Sequence, residues 1–317
     1  MKTVYIHIGP HKTGSTSLQF LLSERARPLA DAGYHYPSAC RYHFAHHRLA
    51  FAMKGMQDPT KGDKPDLNTE IDLLVAELNK SKMSNFIVSS EEFFSAKPAQ
   101  IARFAGGLEG FEVRVIAYAR RQDDLFYSIY NQAVKEKKNQ YRQPLRMAEE
   151  RSPHLFADLQ LYDCISNWAA AFGMGNTKVI LFEDGDVIEN FLTAVGLPVG
   201  KDIVAERSLN HGLSPKALDF FLFSKTATTD AEELSRLYDY AAKRWPSTQR
   251  ETPMQKDARQ EVLNQHRAAN DKLFAEFGLG PNRYASVDEP GLNFSVSSEP
   301  LRMIDLVKAI SESLIDR

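Results

Sequence analysis

The segment "TVYIHIGPHKTGSTSLQFLL" near the start of the chain constrains the fold more than any other feature. The stretch "TVYIHIG" is rich in β-branched and aromatic residues and ends in glycine, as a buried strand does before a tight turn. Leu18, Leu21 and Leu22 then recur near the helical period. A strand, a glycine-rich turn and a helix in this order direct backbone N–H groups and the positive end of a helix dipole at one spot. The segment therefore predicts an anion site.

The stretch "GPHKTGSTS" has the glycine spacing of a nucleotide-triphosphate loop, but its lysine is displaced. That loop has the pattern G-x-x-x-x-G-K-[ST], with the lysine after the second glycine. Here Ser15 and Thr16 follow Gly14, and Lys12 precedes that glycine. Glycines chosen only for backbone freedom are the simpler alternative. The preceding strand, the lysine and the two hydroxyl groups together favour phosphate binding.

Three further apolar stretches indicate strands, and helical segments separate them. They are "NFIVSS" (85–90), "EVRVIAYA" (112–119) and "TKVILFE" (177–183). Strands that alternate with helices predict an α/β fold, with a parallel sheet flanked by helices. The pattern becomes helical from Ser214, without a convincing strand. We predict a core over residues 1–213 and a helical C-terminal extension over 214–317, packed together as one domain.

Composition excludes several classes of function. Lys and Arg number 39 against 41 Asp and Glu, so an anion site must be local and no nucleic-acid partner is expected. Cys40 and Cys164 are too few for a disulfide framework or a zinc site, which suits a reducing cytosol. No apolar run has the length of a membrane span, and the N-terminal stretch is unlike a signal peptide. We expect a cytoplasmic protein.

Charged residues follow two of the predicted strands. Arg120 and Arg121 come after "EVRVIAYA", at the edge where a doubly wound sheet binds its ligand. A kinase or triphosphatase needs Mg²⁺, usually held by an aspartate at such a strand end, whereas two arginines favour a second anion. Glu91 and Glu92 follow "FIVSS". A metal-linked acidic residue therefore stays open at this stage.

These motifs resemble those of sulfotransferases that use 3′-phosphoadenosine 5′-phosphosulfate (PAPS). The family has P-K-x-G-[ST]-[ST] after its first strand, and its bacterial members commonly have H-K-T-G-[ST]-T, which "HKTGST" matches. A second family motif is an arginine at a later strand end with a serine eight positions on. Arg120 and Ser128 have that spacing, with Asp124 where the family often has an aspartate. The resemblance covers residues 3–197 and is weak over the C-terminal third.

The resemblance implies a P-loop NTPase-like sulfotransferase fold and transfer of a sulfuryl group from PAPS to a hydroxyl or amine. The implied acceptor is a carbohydrate, a glycolipid or a small metabolite, and we expect a hydroxylated one such as a saccharide. Lys12 is placed to reach the oxygen that bridges sulfur and the 5′-phosphate, and no metal is expected. The implied PAPS-binding residues are His11, Lys12, Thr13, Gly14, Ser15, Thr16, Ser17, Arg120 and Ser128.

The acceptor must lose a proton, and family members use His or Glu near the end of the second strand for this step. In "FIVSSEEFF", Glu91 is the first choice and Glu92 the second. The same residues have the composition of a helix N-terminus, with Ser90 as its cap. Histidines whose spacing lets them share one helical face are rivals, or they line the acceptor pocket or sit on a solvated helix face. They are His43, His46 and His47.

Two other functions stay open from the sequence. One is a P-loop nucleotide kinase or hydrolase with an unusual loop, and the other is a non-catalytic nucleotide-binding protein that kept the fold and lost the base. His7 and His11 flank the loop as packing or positioning groups. Glu183 and Asp184 belong to a fourth-strand segment that is structural in the family. Two stretches, 54–68 and 135–153, have the composition of loops.

Overall fold

A computed structural model of the chain describes residues 1–136, 141–198, 213–247, 251–288 and 295–296. Its strands are β1 (Thr3–His7), β2 (Tyr34–His35), β3 (Asn85–Ser89), β4 (Glu112–Ala119), β5 (Thr177–Leu181), β6 (Glu251–Thr252) and β7 (Ser295–Val296). Its helices are α1 (Ser15–Glu24), α2 (Ala26–Asp31), α3 (His47–Lys54), α4 (Leu67–Lys80), α5 (Pro98–Gly106), α6 (Gln122–Lys135), α7 (Ala148–Arg151), α8 (Leu161–Phe172), α9 (Val187–Val195), α10 (Pro215–Ala227), α11 (Ala231–Arg244) and α12 (Lys256–Glu276). Turns of 3₁₀ helix cover Glu91–Phe93, Leu145–Met147, Pro153–Leu159, Met174–Asn176 and Phe182–Asp184.

The central sheet has the strand order β2-β3-β1-β4-β5, and all of its strands run parallel. His7 at the end of β1 lies opposite Ser89 of β3 and Ile116 of β4. The carboxyl ends of β3 and β4 therefore flank that of β1, which is where an open parallel sheet binds its ligand. The predicted parallel sheet flanked by helices is confirmed. Strand β2 was not predicted, because a strand of two residues has no hydrophobic period to detect.

Successive side chains along a strand point to opposite faces of the sheet, and here both faces are buried. Ile116 and Tyr118 of β4 belong to an apolar cluster with α1 and α9, whereas Val115 and Ala117, which alternate with them, are equally buried on the other side. Helix α8 contacts β4 and packs against α5. The cluster of the first face contains Tyr5, Leu18, Leu21, Leu22, Ile87, Ile180, Ile188, Phe191, Leu192 and Val195.

The chain divides into two compact units. The first contains the described residues within 1–120, 160–198 and 268–282, and the second contains those within 121–159, 213–267 and 283–296. The first unit holds the five-stranded sheet. The organisation predicted from the sequence, with a core over 1–213 and an extension over 214–317, stays a prediction.

The described residues beyond Ser214 are largely helical, in α10, α11 and α12, as predicted. Two short strands were not predicted: β6 pairs in parallel with β7, with Glu251 opposite Ser295. The loop predicted over 135–153 is partly helical, because the chain forms a 3₁₀ turn after Pro144 and then α7. Cys40 and Cys164 are both buried, and no disulfide joins them. Among the helices described, none combines the length and the apolar character that crossing a membrane requires.

The connection between α3 and α4, residues 55–66, is held by one arginine. Arg48 on α3 donates to Asp58 at 2.9 Å, to Asp63 at 2.8 Å and to Glu70 of α4 at 2.7 Å. The predicted loop over 54–68 is therefore present, since α3 ends at Lys54 and α4 begins at Leu67. A single guanidinium has the donors to bind three carboxylates, which an ammonium on a flexible stem does less well.

Candidate active site at the carboxyl edge of the sheet

The segment between β1 and α1, residues 9–14, is called the glycine loop from here on. Gly9, Lys12 and Gly14 have positive φ angles of 92°, 64° and 78°. Glycine reaches this region without a steric penalty, whereas lysine adopts it only where the surrounding structure requires it. The glycine loop is therefore a specific backbone conformation at the end of β1, as the spacing of its glycines predicts.

Hydrogen bonds fix both ends of the glycine loop. The carbonyl of Gly9 accepts from the backbone N–H of Tyr118 at 2.8 Å, which extends the pairing with β4 into the loop. The hydroxyl of Thr13 donates to the carbonyl of Pro10 at 2.7 Å, and the hydroxyl of Ser15 lies 3.5 Å from the same oxygen. Thr13 and Ser15, both predicted as PAPS-binding residues, thus hold the loop through their buried side chains.

Helix α1 begins directly after the glycine loop. Its N-cap residue is Gly14, and no side chain caps the helix. Gly14, Thr16 and Ser17 are exposed, so the first turn presents its backbone N–H groups at an accessible helix end. Because a Cβ at Gly14 would lie 3.3 Å from Val187, a larger residue would also crowd α9. This end of α1 has the geometry that binds an anion.

Arg120 brings the end of β4 to the glycine loop. Its guanidinium donates to the backbone carbonyl of Lys12 and lies over the ring of Phe182, 4.5 Å from the centroid. The residue is buried. Two of the residues predicted from the sequence, Lys12 and Arg120, are thus in direct contact although they are far apart in the chain.

The residues that follow Arg120 belong to the second unit. Arg121 pairs with Asp123 at 2.7 Å, and Arg259 of α12 joins the same carboxylate at 2.8 Å. Arg121 is therefore part of an ion cluster, and the expectation that both arginines favour an anion stays a prediction. Ser128 lies on α6 and is half-buried. Its role, like those of the other predicted site residues, stays a prediction.

The carboxyl end of β3 carries the two predicted glutamates. They begin a 3₁₀ turn whose N-cap is Ser90, and the Ser90 hydroxyl accepts from the N–H of Glu92 at 3.2 Å. The capping role that the sequence offered as an alternative is thus present. A Cβ at Gly9 would lie 2.9 Å from the Cα and Cβ of Glu91, so only glycine lets the loop approach the turn this closely.

The two glutamates have different partners. The carboxylate of Glu91 accepts from the amide of Gln19 at 2.6 Å. The carboxylate of Glu92 lies 3.3 Å from His11 and 3.1 Å from Lys54. Burial alone would raise the pKa of Glu92, but the hydrogen bonds and charges of His11 and Lys54 outweigh it and lower that pKa to about 2. A carboxylate held ionised this strongly is a weak proton acceptor at neutral pH.

The predicted helical face of histidines does not form. Helix α3 begins only at His47, His46 is its N-cap, and His43 has a positive φ of 51°. The shared helical face that the histidine spacing allows is therefore absent. The cause is a short turn in which Tyr42 and Ala45 pair with each other.

His46 and His47 both contact the end of β3. The buried His46 accepts from the N–H of Ser89 at 3.1 Å and donates to the carbonyl of Pro37 at 3.1 Å. Burial first, and the charge of Arg41 second, lower the pKa of His46 to about 3, so its ring is neutral. His47 lies 2.8 Å from the hydroxyl of Ser90, and burial lowers its pKa.

Gln19 is a site residue that the sequence analysis missed. It is 3% exposed on α1, at the position i+4 from Ser15 and i+1 from Leu18, within the buried face of the helix. A polar residue in an apolar stripe was the available signal, since buried polar groups require a hydrogen-bond partner. That partner, Glu91, is distant in the sequence and is identified only by the fold.

Comparisons with known proteins address the fold. No family model matches the chain. An uncharacterized protein of Archaeoglobus fulgidus is 29% identical over 214 residues, which are 64% of this chain and only 56% of that protein. A sulfotransferase structure from Alicyclobacillus acidocaldarius covers 88% of this chain and 96% of its own, with a TM-score of 0.51 and 15% identity. A sulfotransferase domain from the curacin biosynthetic pathway covers 83% and 96%, with a TM-score of 0.41 and 14% identity.

The similarity to the Alicyclobacillus structure confirms the predicted sulfotransferase-like fold. At this level of identity it shows the fold and not the reaction. Within the described ranges, no group of three or more His, Cys, Asp or Glu side chains is arranged to hold a metal ion. The use of PAPS and the role of each site residue are therefore matters of proposal.

Proposed function

We propose that the protein is a sulfotransferase that moves the sulfuryl group of PAPS to a hydroxyl group of an acceptor. One observation carries the proposal: the carboxyl edge of the sheet joins a glycine loop that bears Lys12 to Arg120 on one side and to Glu91 on the other. The first side suits a phosphate, and the second suits removal of a proton. The sulfotransferase-like fold supports the same reaction.

The glycine loop fits the 5′-phosphosulfate of PAPS. The N-terminus of α1 is accessible and has no capping side chain, so its backbone N–H groups suit phosphate oxygens. In the proposed reaction the ammonium of Lys12 stabilises the negative charge that develops on the oxygen between sulfur and the 5′-phosphate. His11, Thr13, Ser15, Thr16 and Ser17 complete the proposed site through backbone or hydroxyl groups.

The proposed reaction breaks one bond to sulfur and forms another. The acceptor oxygen attacks sulfur, the bond from sulfur to the bridging oxygen breaks, and adenosine 3′,5′-bisphosphate leaves with that oxygen. The acceptor proton passes to the carboxylate of Glu91. The products are the sulfate ester, adenosine 3′,5′-bisphosphate and one proton, so atoms and charge balance.

Arg120 and Ser128 are the proposed partners of the 3′-phosphate. A guanidinium presents a planar fork of donors, so its hydrogen bond to the Lys12 carbonyl is compatible with binding a phosphate oxygen as well. A serine hydroxyl adds one short hydrogen bond. The proposed acceptor is a hydroxylated carbohydrate, glycolipid or small metabolite.

Thermal unfolding tests the nucleotide proposal. Adenosine 3′,5′-bisphosphate should raise the Tm by mass action, and AMP, which lacks the 3′-phosphate, should raise it much less. Arg120→Ala should weaken binding of the bisphosphate by roughly 2 kcal/mol, because a charge-assisted contact is lost. Equal stabilisation by AMP and the bisphosphate would remove the proposed roles of Arg120 and Ser128.

Incubation with PAPS tests the reaction itself. The purified protein is mixed with PAPS carrying heavy sulfur and with cell extracts, and new products are followed by mass. A product that carries the labelled SO₃ group identifies the acceptor. Binding of the bisphosphate without any labelled product would favour a non-catalytic nucleotide-binding protein.

A further inference from the structure

We propose that Gln19 is a positioning residue that holds Glu91 as the proton acceptor, an inference that rests on the proposed sulfotransferase reaction. The amide nitrogen of Gln19 lies 2.6 Å from Oε2 of Glu91 and 3.3 Å from the hydroxyl oxygen of Ser89. Gln19 itself is 3% exposed. Its side chain therefore contacts the candidate base and has little access to solvent.

The orientation of the Gln19 amide follows from its partner. A carboxylate only accepts hydrogen bonds, so the NH₂ group and not the amide oxygen faces Glu91. An amide takes up no proton at neutral pH. Gln19 thus fixes one oxygen of the carboxylate without competing for the proton that the carboxylate receives.

A chain of buried polar groups holds Gln19 in place. The hydroxyl of Ser89 lies 2.8 Å from Nδ1 of His7, and His7 packs edge-on against the rings of Tyr118 and Phe191. Burial lowers the pKa of His7 to about 4, a shift that Glu91 partly opposes, so the ring stays neutral. The chain from His7 through Ser89 to Gln19 connects Glu91 to the rigid interior of the sheet.

The two glutamates differ in the charge of the side chains that donate hydrogen bonds to them. Glu92 is bound by Lys54 and His11, which bring positive charge next to it. The side chain that donates to Glu91 is the neutral amide of Gln19, which orients a carboxylate without neutralising it. A positioned, uncompensated carboxylate is what a general base requires.

The same helix serves both sides of the proposed reaction. Helix α1 begins at the glycine loop with Ser15 and carries Gln19 one turn later. A shift of α1 therefore moves the phosphate-binding end and the base-positioning amide together. Loss of the Gln19 hydrogen bond alone removes a contact with Glu91 and leaves the first turn of α1 in place, so it should lower the rate and leave nucleotide affinity nearly unchanged.

Gln19→Met provides the first test, because methionine keeps a similar volume and removes the donor. With the acceptor found by the labelling experiment, kcat should fall roughly 10-fold to 100-fold, the scale of a misplaced catalytic group. The Kd for adenosine 3′,5′-bisphosphate should stay within about 2-fold, as expected for an interaction made in the transition state. Glu24→Gln, at an exposed position of the same helix, is the matched control and should keep its rate.

A double-mutant cycle with Glu91→Gln separates positioning from a general structural effect. If Gln19 acts through Glu91, adding Gln19→Met to Glu91→Gln should cost little further rate. Equal rate losses in both backgrounds would overturn the proposal, and so would wild-type kcat in Gln19→Met. A wild-type protein that turns over no PAPS would instead overturn the proposed function, so the two failures are distinguishable.

Gln19→Glu adds a readout that packing alone does not change. The new carboxylate would face Glu91 at the place of the amide, and two carboxylates at this distance share a proton. The acidic limb of the kcat/KM profile should move to higher pH by about one unit or more. An unmoved profile in an active Gln19→Glu variant would contradict the contact on which the proposal rests.

Discussion

The carboxyl ends of β3 and β4 flank the same central strand but carry opposite charges. The turn after β3 places Glu91 and Glu92 beside the glycine loop, whereas the end of β4 places Arg120 against the carbonyl of Lys12. Both ends stand at the edge where parallel sheets bind ligands. In the proposed reaction, one edge of the sheet thus separates two tasks, with anion binding assigned to the β4 end and proton removal to the β3 end.

The two ends also differ in how their charges are held. Arg120 donates to a backbone carbonyl and lies over an aromatic ring. At the β3 end, Glu92 is compensated by cations and Glu91 is held by an amide. The donors at the β3 end therefore differ in charge between its two glutamates, whereas the contacts of Arg120 with the carbonyl and the ring involve uncharged groups.

We expect the largest effect on the rate when the ammonium group of Lys12 is removed. Lys12→Ala should lower kcat roughly 10³-fold, the scale for losing one preorganised group that stabilises the leaving oxygen, and should weaken nucleotide binding less. Lysine and alanine share the same backbone restriction at the φ of 64°, so the variant isolates the ammonium. Steady-state rates and calorimetric binding measure the split. Lys80→Ala, exposed at the end of α4, is the control.

The carboxylate side is tested by Glu91→Gln. Its kcat should fall roughly 10²-fold, the scale of general-base catalysis, with unchanged affinity for adenosine 3′,5′-bisphosphate. Steady-state kinetics and calorimetric titration with the bisphosphate measure the two effects. An active Glu91→Gln together with an inactive Glu92→Gln or His47→Ala would assign the base to a different residue of the same region.

Glu92 should matter for stability more than for rate. Its folded-state pKa of about 2 lies below the usual 4.5, so the folded state binds fewer protons than the unfolded state. The resulting stability is present above about pH 4.5 and is lost as the pH falls towards 2. Glu92→Gln should therefore lower the free energy of unfolding at pH 7 by on the order of 1–2 kcal/mol.

Denaturant unfolding at a series of pH values measures this difference. The two curves should converge in acid, because protonated glutamate resembles glutamine. A difference that stays constant down to pH 3 would show that His11 and Lys54 do not act on the charge of Glu92.

The smallest effect is expected from a chelator. Activity should be unchanged by EDTA, because in the proposed reaction Lys12 and the N–H groups of α1 take the role that a cation has in phosphoryl transfer. The measurement is the rate of sulfuryl transfer before and after chelation. Loss of activity that Mg²⁺ restores would favour the nucleotide kinase and would give the carboxylates at the β3 end a metal-binding role.

The sequence predicts the strand, loop and helix around Lys12 because local patterns determine them. The apolar period, the glycines and the hydroxyl groups all lie within one short segment. The contact of Gln19 with Glu91 and that of Lys54 with Glu92 have no such signal, because each joins residues far apart in the chain. Histidine spacing was misleading for a related reason, since the start of α3 at His47 depends on the turn before it.

The ion pairs of Arg48 affect how readily a protease can cleave the connection between α3 and α4. The segment 55–66 contains one tryptic site, Lys61, because Pro65 follows Lys64, and its glycines and prolines usually mark a cleavable loop. Arg48 ties this segment at Asp58 and Asp63 and ties it to α4 at Glu70. Cleavage requires an extended strand in the protease cleft, so the segment must release these ion pairs before it can be cut. Its susceptibility is therefore governed by salt and pH, which weaken ion pairs, as well as by its composition.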